Sequence, residues 1–269
     1  MMSLVVVLFG ACASSVPWPL PRWIHVGHAP LAVDTQNLQV TCITEAHCAP
    51  CDKLPMLPAA TARFLTSMRN KVAAGLSTGV QKPNGVAASL SAISVCVLNA
   101  SDWLGISTNE SYMLDVDIIG GKSAAAITAG SIYGAMYALE STLQLVEPTL
   151  GWIVNAPVSI VDAPRWAYRG VLIDTGRHYL PLPMLHKIID GMAQVKLNLL
   201  HWHITDIPSV PFKFEKYPQL QAHAAFAPTA VYTSSDARAI VEYAKQRGVR
   251  VIPEIDVRIT YICTHSCVV

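Results

Sequence analysis

Between residues 169 and 256 the chain alternates apolar strand-like runs with amphipathic helix-like stretches, and every run ends in ionisable side chains. Val171-Leu-Ile173 leads into Asp174 and Arg177, 197–204 leads into His203 and Asp206, and 249–256 carries Glu254 and Asp256. Between the first two runs Pro183 opens a helix with Leu185, Ile188, Ile189 and Met192 on one face. Between the second and third, after a Pro- and Phe-rich loop at 207–227, Ser234 or Ser235 caps a helix containing Ile240, Val241 and Tyr243, which Gln246-Arg-Gly248 terminates. Such alternation demands parallel pairing through right-handed crossovers, hence a β/α barrel or a doubly wound sheet. No Gly-rich phosphate fingerprint follows the first strand, which disfavours a nucleotide-binding sheet. In a β/α barrel the carboxyl ends of the strands converge on the active site. Asp174, Arg177, His203, Asp206, Glu254 and Asp256 therefore form one ionisable rim.

The preceding half has a different pattern. Pro17-Trp-Pro-Leu-Pro-Arg-Trp23 is extended, a short strand is expected near 38–42, and Phe64, Met68, Val72 and Leu76 mark one face of a helix over 59–76. Strands are expected at 90–98 and at 112–118, where Tyr112, Leu114, Val116 and Ile118 share one face and Asp115 and Asp117 face solvent. After Gly120-Gly121 comes a helix with Ile132, Met136, Leu139, Leu143 and Val146, stopped by Pro148. This half reads as an α+β domain, an antiparallel sheet covered by two helices, with a loop-like boundary at 155–166. The divisions are 1–15, 16–160, 161–256 and an atypical tail, 257–269.

Residues 1–15 resemble a secretory signal cleaved between Ala13 and Ser15, and the run is far short of the roughly 20 apolar residues of a membrane span. Asn99-Ala-Ser101 and Asn109-Glu-Ser111 are N-glycosylation sequons, so Asn99 and Asn109 are candidate glycan acceptors. Cys42, Cys48, Cys51 and Cys96 suffice for two disulfides whose pairing is open, and the C-x-x-C spacing of 48–51 has no partner pair at zinc spacing. A formal charge of +1 without a basic cluster argues against nucleic acid or an anionic membrane. The expected partner is a neutral small molecule or polymer, with no metal and no cofactor.

The run 169–181 (RGVLIDTGRHYLP), 196–206 (KLNLLHWHITD), 217–220 (YPQL) and 240–256 (IVEYAKQRGVRVIPEID) closely resembles the start of the catalytic domain of β-N-acetylhexosaminidases, the family 20 glycoside hydrolases. Trp18-Pro-Leu-Pro, Glu110-Ser-Tyr-Met-Leu114 and Gly134-Ala-Met-Tyr-Ala-Leu-Glu-Ser-Thr-Leu-Gln-Leu145 look like that family's accessory domain. The resemblance implies an α+β domain followed by an incomplete TIM-type barrel, its first three strands only, acting on N-acetylglucosamine- or N-acetylgalactosamine-terminated glycans. It implies a secretory-pathway location, lysosome- or vacuole-like or extracellular, and leaves room for a homodimer at full length. By the same resemblance Arg177 holds sugar hydroxyls, a role suited to a guanidinium fork. Asp206 matches an aspartate that supports the catalytic acid through a histidine. Family members use the substrate's acetamido oxygen as nucleophile, an Asp to orient it and the adjacent Glu as acid. That Asp-Glu pair belongs to a fourth strand.

The pattern departs from the family after Asp256. In place of a Pro-Gly-His turn the chain reads VRITYICTHSCVV, so the histidine position falls on Thr260 and His265 is five residues late. A C-terminally truncated, inactive hexosaminidase is therefore expected. A non-catalytic isoform or fragment acting as a sugar-binding or interaction module is the alternative. A metal-dependent hydrolase built on His201-x-His203 is a further reading, against which the downstream ligands are missing.

Overall fold

A computed structural model describes residues 16–77, 79, 89–119 and 122–256. The signal-like segment, Gly120-Gly121, Thr260 and His265 lie outside the described residues.

The first half is a six-stranded sheet in the order β1-β6-β4-β5-β3-β2. Its strands are β1 (Trp23–Val33), β2 (Gln39–Cys42), β3 (Ser89–Val97), β4 (Tyr112–Ile119), β5 (Lys122–Ala129) and β6 (Ile153–Asp162). Two sequence expectations fail here. The sheet is mixed rather than antiparallel, because β3 runs parallel to both β2 and β5. The expected boundary loop at 155–166 is mostly β6, which pairs antiparallel with β1 and β4. Its Ala156-Pro157 and the small residues around them suggested a turn, yet Val158 and Ile160 alternate into the core. Strand β5 was hidden for a related reason: a run of alanine and serine carries little apolar contrast, and Ala125 and Ile127 are buried only because β4 and β3 flank them.

Helices α1 (Leu57–Leu76) and α2 (Ile132–Leu145) cover one face of this sheet. Phe64, Met68 and Val72 are buried, as the four-residue spacing required, whereas Leu76 in the last turn is exposed; Asp115 and Asp117 lie exposed on the opposite face of the sheet. Ser131 caps α2, and Gly134 lets that helix approach β4 so closely that a Cβ there would stand 2.4 Å from the Ser111 carbonyl oxygen. Disulfides Cys42–Cys51 and Cys48–Cys96 tie the loop before α1 to β2 and β3, so the two cysteines of the C-x-x-C pair have different partners.

The second half is a parallel sheet of β7 (Gly170–Asp174), β8 (Leu199–Thr205) and β9 (Arg250–Ile255), in that order. Helices α3 (Leu182–Gln194) and α5 (Ser234–Lys245) pack on its outer face, where Trp202, Leu200, Leu185, Ile189 and Ile240 form a second core. A short helix, α4 (Gln219–Ala224), interrupts the loop expected at 207–227. Thr233 caps α5, in place of the expected Ser234 or Ser235, because its hydroxyl and the Asp236 carboxylate satisfy each other's backbone N–H groups.

Buried polar contacts clamp the two halves together at the amino ends of β7 and β8. Arg169 grips Glu110 at 2.9 and 3.0 Å and donates to the Tyr137 hydroxyl at 3.0 Å. Asn198 adds a bond to Glu110 at 3.2 Å. Lys196, in the left-handed region at φ 58°, donates to Tyr112, Ser141 and Asp162 at 2.8, 2.9 and 3.2 Å. These contacts anchor the strands whose other ends carry the ionisable rim.

Candidate active site

Strand register brings the rim together. Asp174 pairs with His203 across β7 and β8, and His203 pairs with Glu254 across β8 and β9. Side chains alternate along a strand, so three residues at one level of adjacent strands face the same side. Leu200, Trp202 and Ile204 point the other way, into the core under α3 and α5. The inner face is thus left with His201, His203 and the acidic groups.

Arg177 reaches this row from the loop after β7. Its backbone N–H and Nη1 bond to the two oxygens of Asp174 at 2.9 and 2.6 Å, and its Nη2 stands 2.5 Å from Oδ2 of Asp206. The guanidinium is 65% exposed while Asp206 is only 5% exposed, so the fork is held from behind and open in front. Gly176 makes this possible, since a Cβ there would lie 2.6 Å from the backbone nitrogen of Asp206. Thr175 beside it is fully buried, donating its N–H to the His203 carbonyl at 2.8 Å and accepting the Trp202 indole N–H at 3.0 Å. Sequence reasoning missed both positions. The Thr-Gly pair between Asp174 and Arg177 was visible, but only the packing against β8 explains it.

Glu254 receives both histidines: Nε2 of His201 lies 2.6 Å and Nδ1 of His203 lies 2.9 Å from its Oε2. The other His203 nitrogen, Nε2, approaches Asp206 Oδ2 at 3.3 Å, but neither of these buried atoms makes an aligned hydrogen bond. Asp256, the last described residue, contributes its backbone oxygen to the Thr205 hydroxyl at 3.2 Å. Asp174, His203 and Asp206 are close enough to share a cation, but the Arg177 guanidinium bridges the two carboxylates. His201 and His203 are engaged by one glutamate instead. A second group, His47 with Cys48 and Cys96, has its two sulfurs committed to a disulfide.

Charge sets the protonation of the row. Burial opposes ionisation of His203, but the Glu254 hydrogen bond and the charges of Glu254, Asp174 and Asp206 outweigh it, raising its pKa above 6.5. Glu254 is held below 4.5, chiefly by the His203 hydrogen bond. The imidazolium contribution is therefore complete below 6.5 and fades as pH rises through the raised His203 value. The carboxylate contribution is complete above 4.5 and fades as pH falls through the lowered Glu254 value. The row is best formed in the weakly acidic window between. NMR titration of the imidazole should give a His203 midpoint above 6.5 that drops in Glu254→Gln, and a wild-type midpoint at or below 6.5 contradicts the pairing.

Residues 166–258 match the model of the glycosyl hydrolase family 20 catalytic domain, and residues 17–145 match the model described as beta-acetyl hexosaminidase like. Beta-hexosaminidase 3 of Arabidopsis thaliana is 42% identical over 177 residues, covering 64% of this chain and 33% of the plant protein. The human beta-hexosaminidase subunit beta is 41% identical over 152 residues, covering 56% of this chain and 27% of that subunit. The solved chitobiase of Flavobacterium johnsoniae superposes with a TM-score of 0.68 at 26% identity, over 89% of this chain and 34% of the chitobiase. The chain thus spans 27% to 33% of the length of these curated relatives. Two successive family models and a shared fold together place the chain in glycoside hydrolase family 20.

Proposed function

We propose that the β7–β9 half is the sugar-gripping part of a β-N-acetylhexosaminidase site, the first three strands of a TIM-type barrel, and that the six-stranded half, through Asp162 at the end of β6, is its accessory domain. The protein that completes this site releases terminal non-reducing N-acetylglucosamine or N-acetylgalactosamine with retention of configuration. In that reaction the acetamido oxygen of the substrate attacks its own anomeric carbon while an Asp-Glu pair orients the amide and protonates the departing oxygen. No adjacent Asp-Glu pair occurs in the 269 residues, so this chain by itself binds the sugar without cutting it.

One observation carries this reading: the exposed Arg177 fork, locked from behind by Asp174 and Asp206. A planar guanidinium fixed in this way offers paired donors to two neighbouring hydroxyls. The buried His203 Nε2, without an aligned partner, supplies further polar capacity beside it. The two disulfides support a secretory-pathway location, since such bonds persist in oxidising compartments. Asn99 and Asn109 are exposed and serve in this reading as glycan acceptors. No helix among the described residues is long and apolar enough to cross a membrane.

Two measurements on the purified chain test the proposal. Titration with N-acetylglucosamine should perturb NMR signals of Arg177, Asp174, Asp206 and His203, and absence of any response at saturating sugar rejects the binding half. A chromogenic aryl N-acetylglucosaminide should remain uncleaved, and measurable release of the chromophore rejects the other half.

A further inference from the structure

A second cavity lies away from the rim, where α1 and α2 of the first half face α3 and the turn after α5. Its volume is about 540 Å³, and none of its lining residues belongs to the rim. That volume falls in the ordinary range of small-molecule sites. Phe64, Leu139 and Leu143 contribute apolar lining, and Arg63 and Arg247 contribute two guanidiniums near enough for Arg247 to oppose the charge of Arg63.

Arg247 is held in place before any ligand arrives. Its guanidinium lies 3.4 Å over the Tyr243 ring, its Nε is 2.5 Å from Asp190 Oδ1, and its Nη1 donates to the Tyr243 carbonyl at 3.2 Å. Asp190 is already shared, accepting the Tyr243 hydroxyl at 2.9 Å. Arg63 is bound only through Nη2, to the Gln246 carbonyl. Among the described residues, Nη2 of Arg247 and Nε and Nη1 of Arg63 have no acceptor. One carboxylate therefore serves two guanidiniums, and this end of the cleft keeps an excess positive charge. Burial and the neighbouring Arg247 both oppose the charge on Arg63, a penalty that an anion between them would remove. Glu140, also lining the cavity, accepts the Gln144 amide N–H at 3.0 Å, and the charges of Lys71 and Lys196 act on it.

We propose that this interdomain cleft binds a small molecule carrying one carboxylate or phosphate on an apolar body, the oxyanion between Arg63 and Arg247 and the body against Phe64, Leu139 and Leu143. Guanidinium forks match such oxyanions in geometry and charge. Because the cleft is walled by helices of both halves, its ligand bridges them and stabilises their contact. The site is independent of the sugar-binding proposal.

Calorimetric titration of the purified chain tests it with octanoate, octyl phosphate, octanol and acetate. Octanoate or octyl phosphate should bind at least about tenfold more tightly than either octanol or acetate, the difference a charge-assisted head group and a buried tail each provide. Whichever of the two binds more tightly distinguishes a carboxylate source from a phosphate source. Arg63→Gln, which leaves the Arg247–Asp190 pair intact, should weaken binding about tenfold, and Arg63→Lys should weaken it less, since charge is kept and the fork is lost. Circular dichroism establishes that both variants are folded. Failure of both amphiphilic anions to bind, octanol or acetate matching them, or unchanged affinity in folded Arg63→Gln overturns the proposal.

Discussion

Arg169→Ala should lower the unfolding free energy by about 3–5 kcal/mol, the range for removing one member of a buried ion pair. The partner left behind, Glu110, is 6% exposed and would be left with the Tyr137 hydroxyl and the Asn198 amide as its partners among the described residues. Arg169 also donates to the carbonyls of Lys196 and Trp166 at 2.8 and 2.7 Å, so the same substitution frees the chain on both sides of the junction. The double variant Arg169→Met/Glu110→Gln should recover most of the loss, because it removes both charges together. Urea unfolding monitored by tryptophan fluorescence and by circular dichroism measures both effects. A loss under about 1 kcal/mol in the single variant would mean that the clamp does not hold the halves together.

Arg177→Ala should reduce affinity for N-acetylglucosamine by about 10- to 100-fold, since hydrogen bonds from a charged donor contribute about 1.5–3 kcal/mol each. Arg177→Lys should lose a large share of this as well, because an ammonium cannot present two parallel donors. A second readout separates binding from mere loss of order. Burial alone would raise the Asp174 pKa, but the Arg177 N–H, its side-chain hydrogen bond and its charge, with the charge of His203, hold it below 3.8. The stabilisation from that depression is present above 3.8 and lost as pH falls through the lowered value. Arg177→Ala should therefore move the Asp174 carboxyl titration upward while the core signals of Trp202 stay in place. Unchanged sugar affinity in this variant would remove Arg177 from the site.

Most of the second half was legible before any coordinates. Apolar strands that end in charge, separated by amphipathic helices, leave few arrangements other than parallel β/α units, and the observed β7, β8 and β9 lie where the runs were drawn. The first half was harder to read for identifiable reasons. In β5 the buried face (Ser123, Ala125, Ile127, Ala129) and the opposite face (Ala124, Ala126, Thr128) are both built mostly of small residues that barely differ in hydrophobicity, and β6 contains a proline that local rules assign to a turn. Both strands exist because neighbours on each side satisfy their backbone groups, and a local pattern contains no record of those neighbours.

The candidate site divides along the same line. The residue types on the rim were determined by the sequence alone, and alternation decides which face each strand residue takes. The sequence also allowed the four cysteines of the first half two disulfides in any of three pairings, without deciding which. Tertiary structure alone decided that Glu254 is shared by His201 and His203, that Arg177 spans Asp174 and Asp206, and that Glu110 clamps Arg169. All but the Arg177–Asp174 pair join residues far apart in the chain, and their partners are selected by register, by the missing Cβ of Gly176 and by burial. Those quantities exist only once the strands have been placed side by side.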